Sequence, residues 1–165
     1  MARYVKQRNK YSCGPAAIMN VLKWAGVEFS YREKIGVLQE VCGCRPGRGT
    51  SHRNLDQALR WAVWEVEGKL RIRRVRRPKL CQIEKHLKMG GVVVLNYAWE
   101  RDGEENRHYA LLIKVSPSGK SFWTVNDWRT GPALRWESRE YIKDVNLRFQ
   151  RTDPQCKAWF ISFKN

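Results

Sequence analysis

The order of elements along the chain predicts an α+β domain, an N-terminal helical layer packed on an antiparallel sheet. Three observations carry this. Apolar residues recur at helical spacing from Ala17 to Ala62. From Trp64 the period changes to alternation of apolar and basic residues. The longest aliphatic run, Val92–Leu95, suits a buried strand and is far too short to cross a bilayer.

Size and composition fit one domain spanning 1–165. The 165 residues are enough to bury a core without staples, and a hydrophobic share of 42% excludes disorder by composition. No internal repeat, low-complexity segment or linker divides the chain.

The first helix is expected from Cys13 to Ala25. Ser12 can cap it, Pro15 sits in the first turn where its missing N–H costs nothing, and Gly26 can end it. Ala17, Ile18, Val21, Leu22 and Ala25 form its apolar stripe. A second helix starts at Ser30, because Ser30-Tyr31-Arg32-Glu33 has the form of a capping box. Gly43–Arg53 is polar and rich in Gly and Pro, hence a loop. A third helix follows, capped by Thr50 or Ser51, with Leu55, Ala58, Leu59 and Ala62 inward.

Leu70 and Ile72 alternate with basic residues, which predicts an edge strand ended by Pro78. Leu80, Ile83 and Leu87 predict a short helix stopped by Gly90-Gly91. Val92–Ala98 reads as a buried strand, and Trp99–Arg107 as a charged loop. His108–Val115 and Ser121–Asn126 read as a hairpin turned by Ser116–Lys120. Ser138–Val145 is expected to be a short helix, and Leu147–Gln150 and Ala158–Phe163 strands.

The net charge is +16, from 32 Lys+Arg against 16 Asp+Glu. Such a field favours anionic partners, and it equally describes a solvated basic surface. Five cysteines at irregular spacing do not form a secreted disulfide framework. Met1–Lys10 has no apolar core of the signal-peptide kind. A reducing, cytoplasmic setting without membrane insertion is the expectation.

Cys13 is the residue with chemistry. At the first turn of a helix, unpaired N–H groups and the macrodipole push a thiol toward thiolate, the form that attacks carbonyls. Its alternative is a buried cysteine packing as a small hydrophobe. Of three histidines, His108 opens an expected strand and could meet a helix N-terminus across a cleft. His52, in the basic loop, and His86, on a short helix, read as solvated or structural. Hairpin pairing brings Asp127 beside His108, where a carboxylate would fix the imidazole tautomer. Asn126 could serve instead, though alternation points it the other way. An oxyanion would find the Cys13 N–H and the Gln7 side-chain amide.

Gln7, then Cys13-Gly14-Pro15-Ala16 and Asn20–Gly26, resembles the start of the C39 peptidases, papain-like cysteine proteases. His108–Ile113 and Val125-Asn126-Asp127 resemble the family's histidine and aspartate segments. Gly49-Thr50-Ser51 and Leu87–Leu95 fit its intervening pattern. The resemblance implies a papain-like fold and peptide-bond hydrolysis in a protein or peptide. It implies Cys13 as nucleophile, His108 as base, Asp127 as orienting group and Gln7 in the oxyanion hole, with no cofactor. Two other readings stay open: a basic nucleic-acid- or protein-binding module on the same fold, and a different acyl transfer on the same residues.

Other signals carry less. Ser118-Gly119-Lys120-Ser121 lacks the earlier glycine of a phosphate loop, since position 114 is Lys114. Cys42, Cys44 and His52 fit no common zinc spacing. The basic stretch Lys69 to Lys79 could track nucleic-acid phosphates or be the wet side of an edge strand. Glu100, Asp102, Glu104 and Glu105 are expected to meet basic substrate residues.

Overall fold

A computed structural model describes residues 4–101, 104–126, 132–152 and 157–164. Three helices come first: α1 (Cys13–Trp24), α2 (Tyr31–Val41) and α3 (His52–Glu65). Strand β1 (Leu70–Arg76) and helix α4 (Leu80–Lys88) follow. Then come β2 (Val92–Arg101), β3 (Glu104–Val115), β4 (Ser121–Val125) and β5 (Leu134–Ser138), before α5 (Arg139–Thr152) and β6 (Lys157–Phe163).

Among the described residues the strands form one sheet in the order β1-β6-β2-β3-β4-β5, every pairing antiparallel. The fold is the α+β one that the sequence predicts. β1 lies at an edge, where its exposed arginines keep a second chain from pairing with it.

The helix starts follow local chemistry. Ser30 and Glu33 close a capping box at α2, with the Glu33 N–H donating to Ser30 Oγ. At α3 the cap is Ser51, whose Oγ accepts from the Asn54 N–H at 3.1 Å. α1 departs from expectation: Ser12 precedes it, but its side chain makes no capping bond and is fully buried. Every residue from Cys13 to Leu22 is buried. A helix enclosed on all sides needs no polar face, which is why this stretch is nearly free of charge.

Helices cover both faces of the sheet, one layer more than the sequence suggests. On one face Ile18, Leu22, Leu55 and Leu59 pack with Val92, Val94, Tyr109, Leu111 and Trp159. On the other, Ile83, Leu87, Ile142 and Val145 pack with Val93, Leu95, Tyr97, Ala110, Leu112 and Phe160. Val92–Leu95 is continuously apolar because its alternate side chains enter both cores.

Three expectations need correcting. The segment read as a charged loop is mostly strand, since β2 runs on to Arg101 and β3 begins at Glu104, with Glu100 paired to Glu105. Asp102 lies outside the described residues. His108 therefore sits inside β3, opposite Tyr97, and not at a strand start. Leu147–Gln150 belongs to α5 and not to a strand, because α5 continues for 14 residues from Arg139. No helix among the described residues is long and apolar enough to cross a membrane.

Candidate active site

Cys13 is the first residue of α1 and only 7% exposed. It opens onto a cleft of about 660 Å³ between the start of α1, the loop before α3, and strands β2 and β3. The cleft walls include Tyr11, Thr50, His52, Asn96 and Tyr109, and its charged lining residues are Lys10, Arg48 and Arg107. The loop presses on the helix start. A Cβ on Gly14 would lie 2.2 Å from Thr50 Oγ1, so only glycine fits after Cys13.

Burial dominates the Cys13 thiol and raises its pKa above the ordinary thiol value. The backbone N–H groups of Tyr109, Gly14 and Cys13 itself pull it back, and Cys44 pushes it up again. The balance leaves a protonated thiol at neutral pH. Its neighbours behave alike. Burial, reinforced by Cys44, pushes Cys42 up to about 12. Burial also raises Cys44, and lifts Tyr109 well above the usual phenol range. Cys13, Cys42, Cys44 and Cys81 are free thiols. Among the described residues no three His, Cys, Asp or Glu side chains are grouped to hold a metal ion.

His108 lies elsewhere. It is 2% exposed and follows the strand alternation of Ala110 and Leu112, on the face that α4 and α5 cover. Its ring packs against Tyr97 at 5.5 Å between centroids. His108 Nε2 meets the Asn126 carbonyl oxygen, which can only accept, so the proton resides on Nε2. Cys13 packs on the opposite face, with Tyr109 and Leu111.

Gln7 is tied to Asn126. Its backbone N–H donates to Asn126 Oδ1 at 2.8 Å, and Asn126 Nδ2 donates to Gln7 Oε1 at 3.1 Å. The Gln7 Nε2 amide donates to the Asn9 carbonyl at 2.9 Å. Asn126 is thus the hub joining Gln7 to His108. Its φ of 60° breaks the strand alternation, an angle that asparagine tolerates better than most residues. Asp127 lies outside the described residues.

The histidine that lines the Cys13 cleft is His52, which the sequence reading set aside. As the first residue of α3, it stands edge-on to Tyr109 and Trp159, with centroids at 6.3 and 5.7 Å. The Asn96 side-chain amide meets His52 Nε2; turned so that its oxygen accepts from Nε2–H, it leaves the Nδ1 lone pair free to take a proton. The other end of the Asn96 amide is buried without a hydrogen-bond partner, and the Thr50 hydroxyl is buried beside the Cys42 and Cys44 thiols. One signal in the sequence could have found His52. It follows the Gly49-Thr50-Ser51 cap of α3, and a helix start is a fixed point from which a ring can be aimed.

The overall arrangement has a counterpart. A crystal structure of a protein from Bacillus anthracis, provisionally classed as a C39-like peptidase, superposes with a TM-score of 0.67 at 13% identity. The match covers 99% of this chain and 96% of that one. The fold is therefore that of a C39-like peptidase. No protein-family model and no curated protein sequence matches the chain.

Proposed function

We propose that the protein is a cysteine peptidase that hydrolyses peptide bonds in a protein or peptide with Cys13 as nucleophile. The observation that carries this is the position of Cys13, at the N-terminus of a buried helix and at the wall of a cleft, in a fold shared with a C39-like peptidase. Because burial holds the thiol protonated, attack requires a base that takes the proton as the S–C bond forms. The acyl group passes to Cys13 Sγ, the protonated base gives its proton to the leaving amine, and water releases the acid. Backbone N–H groups at the helix start, which already favour the thiolate, face the developing oxyanion.

Sequence order assigns the base to His108, oriented by Asp127, with Gln7 as a further oxyanion donor. A rotamer change does not carry a strand side chain to the other face of a sheet. A one-residue shift of register does, and β3 would need one to present His108 to Cys13. The composition of the cleft supports a second reading, in which His52, oriented by Asn96, takes the proton.

Alanine at each histidine separates the two readings. Replacing the base lowers kcat/KM by about 10²–10⁴-fold, and replacing the other histidine leaves most of the activity. Asp127→Asn should follow His108→Ala if the first reading holds, and Asn96→Ala should follow His52→Ala if the second does. Product analysis on a peptide library distinguishes hydrolysis from another acyl transfer. If Cys13→Ala hydrolyses peptides as fast as the unaltered protein, the proposal fails.

A further inference from the structure

We infer that the Cys13 cleft selects acidic substrates, seating an Asp or Glu side chain beside the bond to be cut. The inference rests on the peptidase reading and adds a substrate class to it. The charged residues lining the cleft are Lys10, Arg48 and Arg107, and no Asp or Glu joins them among the described residues. Lys10 and Arg48 are exposed and make no ion pair among the described residues. Arg107 is close enough to Tyr109, on the cleft wall, to favour its ionised form.

Arg48 is also held in place. Arg45 and Arg48 exchange backbone hydrogen bonds of 2.9 and 2.8 Å across Pro46-Gly47, and Gly47 takes a φ of 75°. Proline followed by a left-handed glycine is a tight turn with few alternatives. The guanidinium therefore projects from a fixed base over the cleft, which reduces the ordering cost of a charge-assisted contact to a carboxylate.

Deeper in, the cleft offers unused hydrogen-bonding capacity of a different kind. Asn96, only 3% exposed, meets His52 with one end of its amide and keeps the other end without a partner. The Thr50 hydroxyl is buried at the cleft wall, beside the Cys42 and Cys44 thiols. An amide and a hydroxyl suit a peptide main chain, whose N–H and C=O groups they can satisfy. Uncharged groups at the wall and cations around it fit an extended peptide carrying a carboxylate. The net charge of +16 would draw such a substrate in over distances set by salt.

The test uses matched peptides with Glu, Gln or Lys at one position at a time. Their binding to the Cys13→Ala protein and their turnover by the unaltered protein are measured separately. Glutamate peptides should bind at least about tenfold more tightly than their glutamine isosteres, and the advantage should shrink as salt rises. Lys10→Glu/Arg48→Glu should move the preference toward lysine. Equal binding of the Glu and Gln peptides overturns the inference. So does displacement of the glutamate peptide by a single-stranded oligonucleotide at equal charge concentration, since the cleft would then read phosphate charge. Hydrolysis without acidic preference sinks only the substrate class. Acidic preference in binding with no hydrolysis sinks only the peptidase reading.

Discussion

The two faces of the sheet differ in what they enclose. The face under α1, α2 and α3 holds buried thiols, Tyr109, Trp159 and a cleft with buried polar groups. The face under α4 and α5 holds aliphatic side chains, Tyr97, Phe160 and a histidine sealed against a backbone carbonyl. The first face carries the candidate site, and the second is packed as a core. The comparison shows that a catalytic pair read from sequence order must also agree in parity. Cys13 and His108 follow the expected order along the chain, and the alternation of β3 sets the His108 side chain with Ala110 and Leu112 while Cys13 packs with Tyr109 and Leu111.

Neighbouring residues of β6 offer the sharpest way to break this contrast. Trp159 points to the α1 face and Phe160 to the other. Each is fully buried, so alanine at either should cost about 3–5 kcal/mol in denaturant unfolding. Only Trp159→Ala should also reduce turnover per folded molecule, by roughly tenfold or more. Its ring supports His52 and Tyr109, and its Nε1 donates to Asp56 Oδ1 at 2.6 Å. Equal losses of specific activity in the two variants would mean that the faces do not differ functionally.

Asn126→Ala gives a smaller effect. It removes the two side-chain bonds to Gln7 and places a less tolerant residue at a φ of 60°. The expected loss is about 1–3 kcal/mol of stability. Asn126→Gly keeps the backbone angle and loses the same bonds, so the difference between the two variants isolates the strain. If His108 is the base, both should also change the pH dependence of kcat/KM. If His52 is, that profile should stay in place.

Alkaline pH should weaken the α1 face through its buried thiols. A thiol whose folded pKa is raised stabilises the protein below its unfolded pKa near 9, and loses that contribution as pH climbs toward the folded value. Cys42, pushed up to about 12, should cost roughly 2 kcal/mol by about pH 10.5. Urea unfolding across this range should show a shallower decline in Cys42→Ala. An identical slope would mean that Cys42 does not titrate as buried.

Much of the fold was legible because it rests on local rules. The capping box at Ser30 and Glu33, the Ser51 cap, the inward set of α3 and the β3–β4 hairpin each depend on residues close in sequence. What escaped depends on long-range pairing. The stretch from Trp99 to Arg107 carries charges that suggest a loop, yet extends a hairpin whose pairing begins at Val93↔Leu112. Parity was harder still. A β-bulge between Leu112 and Lys114 puts Val115 in the same core as Leu112, three residues away. Asn126 leaves the alternation through its positive φ. Neither break announces itself in the sequence. The candidate nucleophile was legible, since a cysteine at a helix start needs only local signals. The pairing of His52 with Asn96 on β2 was not, because only the fold brings the two together.

The central claim, that peptide chemistry takes place at Cys13, is tested most directly with a short glutamate-containing peptide aldehyde and a crystal structure of the product. The account predicts a hemithioacetal on Cys13 Sγ, the peptide main chain against Asn96 and Thr50, and the glutamate carboxylate at Arg48 or Arg107. Crystals with Cys13 unmodified at saturating aldehyde, or with the adduct on another cysteine, would contradict it.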